Sequence, residues 1–168
     1  MCMLGLAACA NGSNKENNTK KENTMKTIAL TKADFLTKVA NYETNPTEWK
    51  YLGDKPALID FYASWCGPCM AEIPFLKADY EKYGKKGFEI YAVSFDSQRD
   101  RWIDAVRQQG MKWIQVSDLS GFQTPAAEAY AVQSIPSNFL IRCSDGQIVA
   151  AQLRGKALGE KLEELLGK

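Results

Sequence analysis

The chain has 168 residues, 45% of them hydrophobic and 24% charged, which is the composition of one ordinary globular domain. Its 21 basic and 20 acidic residues leave a net charge of +1, so no charge excess favours nucleic acid as a partner. It contains no histidine, which excludes a histidine general base, a Ser-His-Asp or Cys-His nucleophile and the commonest zinc ligand.

Residues 1–9 read MCMLGLAAC, and Leu6-Ala7-Ala8-Cys9 is similar to a bacterial lipobox, in which small residues precede a cysteine that is lipidated. Residues 1–9 are therefore expected to be part of a lipoprotein signal, with the anchor at Cys9, since the short apolar run and missing positive start suit the end of a longer signal. Residues 10–26 are polar and rich in Asn and Lys, unable to bury enough surface to offset chain entropy, and are expected to form a flexible tether. The folded domain is expected over 27–168.

Thr27 to Leu30 predicts a short strand, and Thr31 with Asp34 predicts a capped helix carrying Phe35, Val39 and Tyr42 on one face. After Asn45-Pro46 comes a region with Trp49, Tyr51 and Leu52, then the continuous apolar run Ala57 to Ser64, which predicts a central strand covered on both faces. Ile73, Leu76, Tyr80 and Tyr83 have helical spacing. Phe88 to Phe95 predicts a strand and Arg101 to Gln109 a helix stopped by Gly110, completing a βαβ unit. Trp113 to Val116 predicts another strand, and Thr124-Pro125 opens a helix. Ser137 to Ile141 and Gln147 to Leu153 predict a hairpin turned at Asp145-Gly146, and Leu158, Leu162, Leu165 and Leu166 mark a last helix.

Five cysteines fall as Cys2 and Cys9, the pair Cys66 and Cys69, and a lone Cys143, which is no disulfide scaffold. A single C-x-x-C lacks the further ligands that zinc needs, so no metal and no cofactor is expected. Between a strand and a helix, Trp65-Cys66-Gly67-Pro68-Cys69 instead has the setting of a redox pair. Cys66, at the helix start, faces unpaired N–H groups and the positive end of the dipole and is expected to be the nucleophile; Cys69, one turn in, is the resolving thiol. Without histidine, the proton that Cys69 loses falls to a carboxylate, with Asp60 and Glu72 as candidates. Cys143 reads as a bystander on a strand end, and Trp49, Trp102 and Trp113 as packing residues.

Over 27–168 the chain resembles the TlpA/ResA-like thiol-disulfide oxidoreductases of the thioredoxin superfamily. W-C-G-P-C is shared with thioredoxin, and Ala71-Glu72-Ile73-Pro74 is similar to the acidic, proline-bearing continuation of the TlpA/ResA group. The 67-position step from Cys69 to Pro136 matches that group's strand-helix insertion. Val93-Ser94-Phe95-Asp96 and Ala131-Val132-Gln133-Ser134-Ile135-Pro136 fall where the group has its V-S-x-D and pre-proline segments. Asp60 departs from the group's more common asparagine towards thioredoxin, and Ile141-Arg142-Cys143 replaces its usual Ile-Asp.

The resemblance implies an α/β thioredoxin fold, a central mixed sheet flanked by helices with that insertion. It further implies a cis bond at Ile135-Pro136, Asp60 beneath the dithiol, Glu72 as an active-site acid, and Trp65, Gly67, Pro68, Ile135 and Pro136 at the substrate. The expected protein is a monomeric, lipid-anchored disulfide reductase of the cell envelope, acting on protein disulfides such as apocytochrome c cysteines and recharged by a membrane thiol donor. A start at Met25 would make it a cytosolic-type thioredoxin. A thiol peroxidase would carry Pro-x-x-x-Thr-x-x-Cys, which is absent, and a non-catalytic thioredoxin-like module usually lacks an active cysteine.

Overall fold

A computed structural model describes residues 27–29 and 55–167. The expected first helix, Trp49, the tether and Cys9 lie outside the described residues. Six strands appear: β1 Thr27–Ala29, β2 Pro56–Tyr62, β3 Glu89–Ser94, β4 Ile114–Ser117, β5 Ser137–Arg142 and β6 Gln147–Ala151. They form one sheet in the order β1-β4-β3-β2-β5-β6, with the first four strands parallel and β5 and β6 antiparallel to their neighbours. The helices are α1 Gly67–Tyr83, α2 Arg99–Gln109, α3 Pro125–Ala129 and α4 Ala157–Leu166. The 67-position step from Cys69 to Pro136 is filled by β3, α2, β4 and α3, strung between α1 and β5.

Each element follows from its pattern. β2 is flanked by β3 and β5 and every residue in it is buried, which is why it reads as an unbroken apolar run interrupted only by Asp60. Phe61 gathers Phe95, Tyr130 and Phe139 around it at centroid distances of 5.8, 5.5 and 6.1 Å. Along α1, Cys69, Ile73, Leu76 and Tyr83 are buried, with Tyr80 packed against the core between them. This stripe repeats every three or four residues, and full burial of each large apolar side chain contributes about 1.5–3 kcal/mol. α2 buries Trp102 and Val106 and stops at Gly110, whose φ of 62° is left-handed, while Met111 N–H reaches back to the Val106 carbonyl. The Lys77 ammonium of α1 donates to the Gln109 carbonyl at 3.0 Å, closing that helix end from outside.

Three boundaries differ from expectation by two residues. β2 ends at Tyr62, because Ser64 turns away to bond Asp96. α2 begins at Arg99, two residues early, with Trp102 N–H bonding the Gln98 carbonyl. β6 stops at Ala151 and does not run to Leu153. Gln152 has a left-handed φ of 56°, and the Asn138 amide takes both backbone groups of Leu153, accepting from its N–H and donating to its carbonyl at 2.9 Å each. A side chain there replaces a strand partner.

Candidate active site

The site begins where β2 leaves the sheet and α1 starts. Cys66 is the N-cap residue of α1, with an extended backbone, and its Sγ accepts from the Cys69 N–H at 3.2 Å. Gly67 and Pro68 fill the first two helical positions, where proline's missing N–H costs nothing. A Cβ on Gly67 would meet nothing within 4 Å, so the glycine leaves this surface open. Cys66 and Cys69 are joined in a disulfide with an S–S distance of 2.00 Å and Cα atoms 5.2 Å apart. Cys66 is 6% and Cys69 2% exposed, so the first cysteine is the more accessible of two mostly buried residues. Trp65 stands 59% exposed beside them, an apolar surface next to the sulfur.

Asp96 holds the approach to this turn. Its carboxylate accepts from Ser64 N–H at 2.9 Å, Ser64 Oγ at 2.5 Å and Ser94 Oγ at 2.7 Å, while being almost wholly buried. Ser117 Oγ in turn donates to the Ser94 carbonyl, tying β4 to the same knot.

Asp60 lies in the middle of β2, opposite Ala92 of β3 and Asn138 of β5. Burial raises its carboxyl to about 7; the Arg154 guanidinium pulls it down and the Glu72 carboxylate pushes it up. Glu72, on α1 and half-buried, accepts from the Gly155 N–H at 2.8 Å. Arg154 is the residue that spacing does not reveal: it donates to the carbonyl of Pro136, to that of Leu153 at 2.8 Å and to Gln152 Oε1 at 2.9 Å. The Ile135-Pro136 bond is cis, at the head of β5, and Ile135 packs against the core that contains both cysteines. Glu72 is thus bonded to the 152–155 turn, the charges of Glu72 and Arg154 both act on Asp60, and the cis-proline loop is attached through Arg154.

With this geometry in place, the family can be read. The AhpC/TSA family model matches residues 29–151. The chain belongs to the AhpC/TSA family. Within that family it sits with the ResA-like thiol-disulfide oxidoreductases: it is 32% identical to the thiol-disulfide oxidoreductase ResA of Bacillus thuringiensis subsp. konkukian over 130 residues, covering 77% of this chain and 72% of that one. It is 44% identical to the thioredoxin of Borreliella burgdorferi over 73 residues, 44% of this chain and 61% of that protein, so the chain spans less than two thirds of that relative. The thioredoxin domain of a Bacteroides vulgatus thiol-disulfide oxidoreductase superposes with a TM-score of 0.64 at 31% identity, covering 70% of this chain and 83% of that one. The fold is that of thioredoxin, as its sequence resemblance implies.

In this AhpC/TSA member, Cys143 stands apart from the dithiol. It is fully buried, burial pushes its thiol up to about 12, and its N–H bonds the Lys55 carbonyl at 3.2 Å. Trp102 and Trp113 are core residues at 1% and 2% exposure. Among the described residues, no cluster of three His, Cys, Asp or Glu side chains could hold a metal ion. Asp96, Asn138 and Arg154 are the site-shaping residues that sequence reasoning did not assign. Asp96 carried a signal, since it closes the Val93-Ser94-Phe95-Asp96 segment, whereas Asn138 and Arg154 carried none.

Proposed function

We propose that this protein reduces protein disulfides by dithiol-disulfide exchange through Cys66 and Cys69. The observation that carries the reading is the N-cap position of Cys66, whose sulfur accepts from the Cys69 N–H and, once reduced to a thiolate, faces the positive end of the helix dipole. The Cys66 thiolate attacks one sulfur of a substrate disulfide; that S–S bond breaks, a mixed disulfide forms, and one substrate thiolate leaves. Asp60 takes the Cys69 proton, with Glu72 as the alternative acceptor, and the Cys69 sulfur attacks Cys66. The mixed disulfide breaks, the second substrate thiolate leaves, and two electrons have passed to substrate as Cys66–Cys69 closes. Trp65, Gly67, Pro68, Ile135 and Pro136 form the face on which the substrate chain lies.

Re-reduction needs an external dithiol. In the envelope reading, the domain is lipid-anchored at Cys9, acts as a monomer on cysteines such as those of apocytochrome c, and is recharged by a membrane thiol relay. The ResA relatives, thiol-disulfide oxidoreductases by name, support the exchange chemistry on which this reading is built. Among the described residues, no helix is long and apolar enough to cross a membrane. The match to thioredoxin over 73 residues favours a second reading, a cytosolic-type thioredoxin starting at Met25.

The test is to express Cys69→Ser with its native upstream region, trap mixed disulfides at Cys66, fractionate the cells and identify the partners. Envelope proteins captured from the membrane fraction support the first reading, and cytosolic partners the second. No captured partner, together with a wild type unable to reduce a model protein disulfide, overturns both.

A further inference from the structure

We infer that Arg154 is a positioning residue that joins the cis-proline loop to the carboxyl receiving the Cys69 proton, gripping the Pro136 carbonyl while presenting its positive charge to Asp60. The inference rests on the exchange reaction proposed above and adds a component to it.

The three acceptors of the Arg154 guanidinium are the Pro136 and Leu153 carbonyls and Gln152 Oε1, all neutral. Among the described residues, no carboxylate forms an ion pair with it within 4.0 Å. A guanidinium spent on neutral acceptors keeps its charge available to whatever lies near, and the buried group that feels it is Asp60. In the oxidised protein, where Cys66 and Cys69 are joined and do not titrate, the charged and titratable groups facing Asp60 are few. α1 contributes Glu72, which raises its proton affinity; the turn after β6 contributes Arg154, the stronger of the two and opposite in sign; Tyr62 shares its strand. β3 and β5 present Ala92 and Asn138 opposite it, neither of which titrates.

The turn that carries Arg154 is itself held from three sides. Gln152 bonds Ser137 Oγ at 2.8 Å, Leu153 is clasped by Asn138, and Gly155 N–H bonds Glu72. The guanidinium is therefore presented from a fixed platform, and its fork reaches the Pro136 carbonyl and Gln152 through one nitrogen and Leu153 through the other. A lysine there would supply the charge without the fork. Charge and grip are separable, and so are their consequences: charge sets when Asp60 can accept a proton, and grip sets how well the proline loop is formed for substrate.

The test compares wild type, Arg154→Lys and Arg154→Gln in the full-length protein. The Asp60 carboxyl titration is followed by carbon-13 NMR in the oxidised protein, with the resonance assigned by its loss in Asp60→Asn; reduction of insulin disulfides is measured from pH 5 to 9. R154Q is expected to move the Asp60 midpoint and the acidic limb of the rate profile to higher pH, and R154K to leave both near wild type. Both variants are expected to raise KM, by about tenfold for one lost charge-assisted hydrogen bond. An Asp60 midpoint unmoved in R154Q, or moved equally in R154K, overturns the inference, and so does an unchanged KM in both variants. A purely structural role lowers the melting temperature of both variants without moving that midpoint. Should wild type reduce no disulfide, the proposed function fails, while the NMR midpoints still decide whether Arg154 governs Asp60.

Discussion

Replacing Asp60 by asparagine tests the electrostatics of the site through stability, with no assumption about substrate. The folded chain binds the Asp60 proton until about pH 7, whereas the unfolded chain releases it near 3.8. Between these values the folded state holds more protons, so stability falls as pH rises, by about 1.4 kcal/mol per pH unit, and the loss is complete above about pH 7. Over that window it amounts to about 4 kcal/mol, a large part of the 5–15 kcal/mol typical of a domain. Asparagine fills the same space without a charge to desolvate. The oxidised Asp60→Asn protein is therefore expected to lack this slope and to gain stability relative to wild type as pH rises, the difference growing by about 4 kcal/mol between pH 4 and pH 8. Urea unfolding of both oxidised proteins at intervals of half a pH unit measures it, and subtraction cancels every other titrating group. A constant difference across the range would refute the claim that Asp60 is a buried acid with a raised proton affinity. The same variant should release substrate from the mixed disulfide more slowly, since Cys69 then loses its proton acceptor.

Glu72→Gln removes the negative charge that raises Asp60 but keeps a carbonyl for Gly155, so the falling segment of the stability curve should end at lower pH than in wild type. The same urea series checks it, and an end point at or above the wild-type value contradicts the assignment. Asp96→Ala strips the acceptor from three donors, two of them on Ser64, and should cost about 2–4 kcal/mol in urea unfolding; a loss below about 1 kcal/mol means that the knot before Trp65 does not hold. Iodoacetamide at pH 8 should alkylate Cys66 after reduction but leave Cys143 unmodified until denaturant is added, because its thiol is buried and raised to about 12. Peptide mass spectrometry reads this directly, and labelling of Cys143 in the native protein counts against its placement.

The sequence made local order legible wherever one element's own pattern suffices. The stripe through Ile73, Leu76, Tyr80 and Tyr83 announces α1, the unbroken run before Ser64 announces a central strand, and Gly110 announces a helix stop. W-C-G-P-C needs only five adjacent residues. What stayed hidden are polar pairs made by the tertiary fold. Glu72 meets Gly155 across 83 positions and Asp96 meets Ser64 across 32, and no periodicity encodes such partners. The same holds for the end of β6, where the sequence continues in strand-like fashion but Asn138, 15 residues upstream, takes Leu153 out of the ladder. Arg154 looks like one more surface cation next to Gly155 until its acceptors are seen. Thr124 heads α3 as the Thr-Pro order predicts, yet its hydroxyl makes no capping bond and is buried without a partner among the described residues.

The buried chain from Trp102 Nε1 to Tyr62 Oη at 2.9 Å, and from that hydroxyl to Gln115 Oε1 at 2.6 Å, crosses from α2 to β2 and on to β4. Sliding β4 by one position would turn Gln115 to the opposite side of the sheet and leave the buried Tyr62 O–H without its acceptor. These three residues thus work as a key for α2 and β4, accepting one alignment and penalising the next. For chimera building, the segment bearing α2 and β4 is portable only into a host whose central strand offers a tyrosine at the place of Tyr62.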